Sequence, residues 1–265
     1  MELYQLIILA LIQGITEFLP ISSSGHLVVA SKVIGWPDQG LTIDIALHFG
    51  TLGAVLVYFW RDLWKILIGV GKGFLGEPNQ DTKLALNLVI ATIPVAAVGF
   101  TARDQVETYF RSIEVVAWAT FGFGILLWLV DKVTLTLNRI EHLSILHSFF
   151  IGLVQLLAFI PGASRAGVTM TAGRLLSMER SDAARFSMLL SIPTIAGIAV
   201  FAGLDLYQKG NLILQKESVI AVSLSFISGL IAITLMLRWL ARANFTPFVI
   251  YRLFLGAFLL YWVYR

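Results

Sequence analysis

Charged residues in this chain are confined to short segments between long apolar runs, and that spacing constrains the fold more than any other feature. Six runs, at roughly 42–60, 84–101, 115–131, 184–204, 218–237 and 246–263, are each of about the length that crosses a bilayer's hydrocarbon as an α-helix. Of the 265 residues, 13% are charged and 58% hydrophobic. A soluble domain carries about 25% charge. The mean hydropathy is +0.84. The chain reads as an all-α polytopic membrane protein, a single integral membrane domain over 1–265. It has no cysteine, which excludes disulfides, thiolate chemistry and cysteine–zinc sites. A net charge of +3 would point a soluble protein toward nucleic acid. Here the basic residues are mostly loop residues that set orientation, so no nucleic-acid partner is expected. The start, Met-Glu-Leu-Tyr, has no basic segment, and a cleaved signal peptide is not expected.

Two further apolar stretches, 3–35 and 145–178, are broken near their middles by Pro20 and by Pro161-Gly162. Proline removes a backbone donor and clashes with the preceding turn. Broken backbone at membrane depth survives only inside protein or beside a water-filled cavity. Both stretches are therefore expected to be re-entrant helix–loop–helix hairpins.

With six spans and two hairpins, eleven basic residues fall on one side: Arg61, Lys65, Lys72, Lys83, Lys132, Arg139, Arg174, Arg180, Arg185, Arg238 and Arg242. Six fall on the other: Lys32, Arg103, Arg111, Lys209, Lys216 and Arg265. The richer side is expected to be cytoplasmic, which puts both termini outside and opens the first hairpin outward. Residues 61–83 are expected to form a loop ending in the turn Gly-Glu-Pro-Asn-Gln-Asp. Oligomeric state is not legible in the sequence, and a homodimer is one arrangement open to the chain.

The hairpins resemble each other. Phe-Leu-Pro-Ile-Ser-Ser (18–23) and Phe-Ile-Pro-Gly-Ala-Ser (159–164) match 141 residues apart, pairing Ser23 with Ser164. Ala-Thr-Ile-Pro-Val (91–95) and Leu-Ser-Ile-Pro-Thr (190–194) each place Ile-Pro inside a span. Together they suggest an inverted-topology repeat whose two tips meet near the midplane. Such a meeting would bring Ser23 and His26 near Ser164, Arg165 and Thr169.

The tips carry unusual polarity. Gln13 and Glu17 share one helix face. Ser22, Ser23 and Ser24 open a new helix after Pro20, where free N–H groups favour an anion. Ser22 and Ser23 precede His26 by four and three residues, within reach of the imidazole. Arg165 offers a planar fork suited to phosphate. An ionised side chain at bilayer depth costs about 2.5–3.5 kcal/mol or more, so Glu17 and Arg165 need a reason. The set suits phosphoryl transfer, with arginine and helix N-termini holding the anion. Histidine or serine would be the nucleophile, or histidine a general acid or base. Glu17 could orient His26 or hold a divalent ion.

Plainer readings stand beside these. Glu17 and Arg165 could form a structural ion pair. The serines serve in part as helix caps. His48, in Ala-Leu-His-Phe-Gly, and His147 read as hydrogen-bonded core residues. Asp44 could face the site or mark a span entrance. Arg252 could snorkel to the interface or reach the phosphate.

Gln-Gly-Ile-Thr-Glu-Phe-Leu-Pro-Ile-Ser-Ser-Ser-Gly-His-Leu (13–27) and Pro-Gly-Ala-Ser-Arg-Ala-Gly-Val-Thr-Met-Thr-Ala-Gly-Arg-Leu (161–175) closely resemble the two signature segments of the bacterial undecaprenyl-diphosphate phosphatase family, also called bacitracin-resistance proteins. Tyr-Phe-Trp-Arg-Asp-Leu-Trp-Lys-Ile-Leu (58–67) and the terminal Tyr-Arg-Leu-Phe-Leu-Gly segment also resemble family segments, so the likeness covers essentially the whole chain.

The resemblance implies a plasma-membrane enzyme that hydrolyses undecaprenyl diphosphate to undecaprenyl phosphate and inorganic phosphate on the outer face. That reaction recycles the lipid carrier for cell-wall synthesis and confers bacitracin resistance. The resemblance implies a divalent ion, Mg²⁺ or Ca²⁺, with Glu17 and Gln13 as its protein ligands. The partners would be the polyprenyl diphosphate and membrane lipids. Carried over by motif, Glu17 is the essential acid and Ser23 and His26 are catalytic. Ser164, Arg165 and Thr169 form the phosphate-binding segment. From the residues themselves, and not from the motif, Ser22, Ser24 and Arg252 are further expected phosphate contacts. The chain departs from the family pattern at Gln13, where a second acid is common, at Ser24 in place of threonine and at Ala166 in place of serine. The rival reading is a polyprenyl-phosphate transporter that uses the same midplane site, since broken helices in inverted repeats are also a carrier architecture.

Overall fold

A computed structural model describes residues 2–37, 39–101, 112–208 and 216–265. The described elements are helical apart from one isolated bridge, Asn138 to Met178. In chain order they are α1 (Leu3–Phe18), α2 (Ser23–Lys32), α3 (Gly40–Tyr58), α4 (Trp60–Phe74), α5 (Gln80–Thr101) and α6 (Ile113–Val133). There follow α7 (Ile145–Gln155), α8 (Arg165–Leu175), α9 (Arg180–Gln208), α10 (Lys216–Leu240) and α11 (Thr246–Tyr264). A 3₁₀ turn, Leu156–Phe159, extends α7 toward the break before α8.

Six helices, α3, α5, α6, α9, α10 and α11, are long and apolar enough to span a membrane, and they coincide with the six expected runs. The chain is a multi-pass membrane protein. The two interrupted stretches break where the prolines stand, between Phe18 and Ser23 and between Phe159 and Arg165. Residues 61–83 are not a loop: α4 occupies Trp60–Phe74, and the turn comes only after it. Trp60, Trp64 and Leu67 are about 60% exposed on one face of α4, while Arg61, Lys65 and Lys72 supply its charge. This is the pattern of a helix lying in the membrane interface, too short at 15 residues and too charged to cross it. Arg103, Arg111 and Lys209, counted toward the poorer side, lie outside the described residues.

Close helix contact depends on small residues, as is usual where lipid supplies no hydrophobic drive between helices. α10 lies against α1 and α3. A Cβ added to Gly14 would fall 1.9 Å from Ser228 Oγ, and one on Gly50 would fall 2.0 Å from Ser225 Oγ. α5 packs on α7, and α6 on α11. The largest apolar cluster gathers Phe18, Leu127, Met170, Phe186, Met236 and Phe245 around α8. Ala166 to Arg174 of α8 are all buried, so the tip of this helix is held from every side.

One end of the bundle is laced by charge. Asp131 Oδ1 accepts from Arg174 Nε at 3.0 Å and from Arg180 Nε at 2.8 Å. Arg139 pairs with Glu179, Arg185 pairs with Asp62, and Lys83 reaches the Glu141 carbonyl. The Glu179 hydrogen bond and charge push the exposed Arg139 guanidinium pKa upward. All the basic residues in these contacts belong to the richer side of the charge count.

Candidate active site

The two breaks are built alike. Ser22 and Ser164 are the N-caps of α2 and α8, and both take a positive φ, 74° and 72°. That region is sparsely populated for residues with a side chain and costs roughly 1–3 kcal/mol, a strain typical of functional sites. Each Ser Oγ accepts the N–H three residues on, from Gly25 at 3.2 Å and Gly167 at 3.1 Å. The conformational partner of Ser164 is therefore Ser22, one residue off the motif pairing of Ser23 with Ser164. Gly162 supplies the extra residue, at φ 96°, and a Cβ there would fall 2.5 Å from the Val116 carbonyl oxygen.

In this register Ser23 corresponds to Arg165, each the first residue of its helix, and both converge on Glu17. Ser23 Oγ donates to Glu17 Oε2 at 2.8 Å, and Arg165 Nη2 donates to Glu17 Oε1 at 3.1 Å. Gln13 Nε2 adds a third bond to Oε2 at 3.0 Å. Arg165 Nη1 donates to the Ser187 carbonyl on α9 at 3.0 Å, which fixes the plane of the guanidinium. Glu17, Ser22, Ser23, Ser24, Ser164 and Arg165 line a common cavity of about 180 Å³. α9 closes one wall with Thr194, Ile195 and Ile198, just beyond its internal Pro193. Such a space suits a phosphate-sized group, given about 30 Å³ per water.

Other expected site residues lie elsewhere. Thr169 is 2% exposed; its hydroxyl meets Ser187 Oγ at 2.7 Å and donates to the Arg165 carbonyl at 2.8 Å. It braces Arg165 from behind the cavity. His26 is not among the lining residues. Its Nδ1 lies 2.6 Å from the Ser22 carbonyl and its Nε2 lies 2.5 Å from the Tyr251 hydroxyl, with the two rings nearly parallel. Arg252 is fully buried and donates to the carbonyls of Pro20, Ala119, Thr120, Gly162 and Ala163. It clamps the two tips to α6 and neither snorkels nor lines the cavity. Asp44 Oδ1 accepts from Gln39 Nε2 at 2.7 Å, and His147 caps α7 through Ser144.

His48 does line the cavity, against its reading as a plain core residue. Ser187 and Tyr251 carry no sequence signal of their place: each is one of several polar residues on a spanning helix, and only the tertiary fold connects it to the tips.

The residues meant for a divalent ion do not fit a resident one. Both Glu17 oxygens are taken by donors, and Gln13 turns its NH₂ group, not its oxygen, toward that carboxylate. Arg165 already balances the charge of Glu17. Among the described residues no three His, Cys, Asp or Glu side chains gather as a metal site.

Fold and site together define a class: a multi-pass membrane protein with an anion-suited cavity between the ends of two broken helices. Residues 6–258 match the family model described as bacitracin resistance protein BacA, and the chain belongs to that family. It is 44% identical to an undecaprenyl-diphosphatase of Alteromonas mediterranea, over the full length of both chains. It is 45% identical to undecaprenyl-diphosphatase 1 of Rhodospirillum rubrum, covering 98% of this chain and 95% of that one. An undecaprenyl-diphosphatase of Ruegeria pomeroyi is 44% identical, with 98% of each chain covered.

Proposed function

We propose that this protein hydrolyses undecaprenyl diphosphate to undecaprenyl phosphate and inorganic phosphate. The observation that carries the reading is the convergence of Ser23 and Arg165, from two different helix starts, on Glu17 in one cavity. The relatives bear the name of that activity.

The terminal phosphate enters the cavity and meets Arg165, whose fork suits phosphate oxygens. Ser22 and Ser164 already accept backbone N–H groups, so their own O–H groups remain to donate. With Arg165 drawn to the phosphate, Glu17 is left to take the Ser23 proton. Ser23 Oγ then bonds to the terminal phosphorus as the bond to the lipid phosphate breaks, and water later releases inorganic phosphate. Ser23 is favoured over His26 as nucleophile by its 2.8 Å bond to Glu17 and its place in the cavity wall. His26, held through Nδ1, positions the Ser22 turn. A divalent ion, Mg²⁺ or Ca²⁺, would belong to this proposal only as a companion that offsets the charge of the diphosphate.

The finer topology is also proposed. The matching caps at Ser22 and Ser164 support two re-entrant hairpins in inverted repeat within one membrane domain. The packing of α1 on α10 and of α7 on α5 follows the same symmetry. The clustered basic residues support a cytoplasmic end there, with both termini and the cavity mouth facing out. A lipid carrier would use Arg165 and the helix starts but has no need of a Ser23–Glu17 pair.

The test is phosphate release from farnesyl or undecaprenyl diphosphate by detergent-purified protein, with added Mg²⁺ or Ca²⁺ and after chelation, beside Ser23→Ala and His26→Ala. Metal-dependent release lost in Ser23→Ala supports the reading. An acid-labile phosphoenzyme would move the nucleophile to His26, and no release from folded protein would favour lipid carriage.

A further inference from the structure

We propose that His48 is the base that accepts the proton of the hydrolytic water in the second half of this reaction. The step rests on the reading of Ser23 as nucleophile. It begins from a contrast between two imidazoles. Both nitrogens of His26 are engaged, by the Ser22 carbonyl and the Tyr251 hydroxyl. His48 has its Nδ1 2.8 Å from the Asp44 carbonyl, the residue one turn earlier on α3. A carbonyl only accepts, so Nδ1 carries the hydrogen and Nε2 carries the lone pair. Among the described residues Nε2 has no hydrogen-bond partner, and His48 lines the cavity with Glu17, Ser23 and Arg165.

The chemistry has a use for such a group. When Ser23 attacks, its proton passes to Glu17. When water attacks the phosphoserine, the P–Oγ bond breaks and Ser23 takes that proton back, so Glu17 acts then as an acid. The proton leaving the water needs a different acceptor. The hydroxyls, the aliphatic side chains and the guanidinium of the cavity wall are not bases near neutrality. The His48 imidazole offers the lone pair of Nε2. Water oxygen bonds to phosphorus, its proton moves to Nε2, and the imidazolium then returns the proton to bulk water.

The experiment is rapid-quench kinetics on the full-length purified protein with farnesyl diphosphate, following lipid monophosphate and inorganic phosphate separately, for His48→Ala and His48→Gln. Both variants are expected to release about one equivalent of lipid monophosphate per enzyme at the normal rate. Inorganic phosphate should then follow about 10²–10⁴-fold more slowly. Acid-stable phosphoenzyme should accumulate, and added imidazole should speed the slow phase of His48→Ala. Unchanged release of both products by either variant would overturn the inference. So would equal slowing of both products without phosphoenzyme in His48→Gln of normal thermal stability. A wild-type protein that releases neither product would instead overturn the phosphatase reading itself.

Discussion

Glu17 and Arg165 stand 148 residues apart in the chain and 3.1 Å apart in space. Their side chains are 8% and 12% exposed, so each is the other's main compensation for leaving water. The pair joins the end of α1 to the start of α8, one partner from each broken stretch. Arg165→Ala is expected to lower turnover by about 10²–10³-fold, the usual cost of losing one preorganised charge-stabilising group. Arg165→Lys should recover little of it, because a lysine cannot span Glu17 and the Ser187 carbonyl as the guanidinium does. Phosphate-release rates of the two variants, normalised to folded protein, check both statements.

The spans were legible because 3.6-residue helices of apolar side chains need only length and the absence of charge. The breaks were legible because proline acts locally. Glu17, Ser23 and Arg165 stood out because polarity is costly in an apolar run. The one-residue shift between the tips was not legible: it depends on Gly162 at positive φ, while motif matching follows the prolines. The surroundings of Arg252 were equally hidden, since its partners are backbone carbonyls, which carry no side-chain signal. The α4 segment reads as loop because charge recurs along its polar face. Hydropathy averages over that face, and the helical spacing of Trp60, Trp64, Leu67 and Ile68 would have found it.

Arg252 is expected to hold the architecture. Arg252→Met leaves five carbonyls from Pro20, α6 and the second break without their donor. A buried carbonyl left unpaired costs about 1–3 kcal/mol; the loss falls mainly on Pro20 and Ala163, since Ala119 and Thr120 lie within α6 and Gly162 also meets Thr120 Oγ1. The variant should unfold at markedly lower temperature in detergent. The KM of the surviving folded fraction should change little. A raised KM with normal thermal stability would return Arg252 to the phosphate.

Tyr251 covers the outer nitrogen of His26 with a 2.5 Å hydrogen bond. Tyr251→Phe removes that bond and leaves the Nδ1 contact to Ser22 in place. A single hydrogen bond contributes about 0.5–1.5 kcal/mol, so turnover should fall by no more than about tenfold. His26 should become more reactive toward diethyl pyrocarbonate, which can be followed by mass spectrometry of the labelled peptide. A loss of several hundredfold in phosphate release would instead put the His26–Tyr251 pair within the chemistry.

Asp131 carries two arginines on a single oxygen, and one of them, Arg174, is fully buried. Arg174 also donates to the Thr134 carbonyl, the Met178 carbonyl and Thr136 Oγ1, so its guanidinium ties the end of α6 to the end of α8. Asp131→Ala leaves that buried charge without a counter-ion, and breaking a buried pair in this way costs about 3–5 kcal/mol. Thermal unfolding in detergent should shift down strongly for Asp131→Ala. The double variant Asp131→Ala with Arg174→Met should recover much of the loss, because it removes the stranded charge along with its partner. Activity per folded molecule should stay near wild type in the double variant, since the network lies at the ends of α6 and α8 and lines no part of the cavity. A double variant no more stable than Asp131→Ala would mean that the backbone bonds of Arg174, and not its charge, hold this end of the bundle.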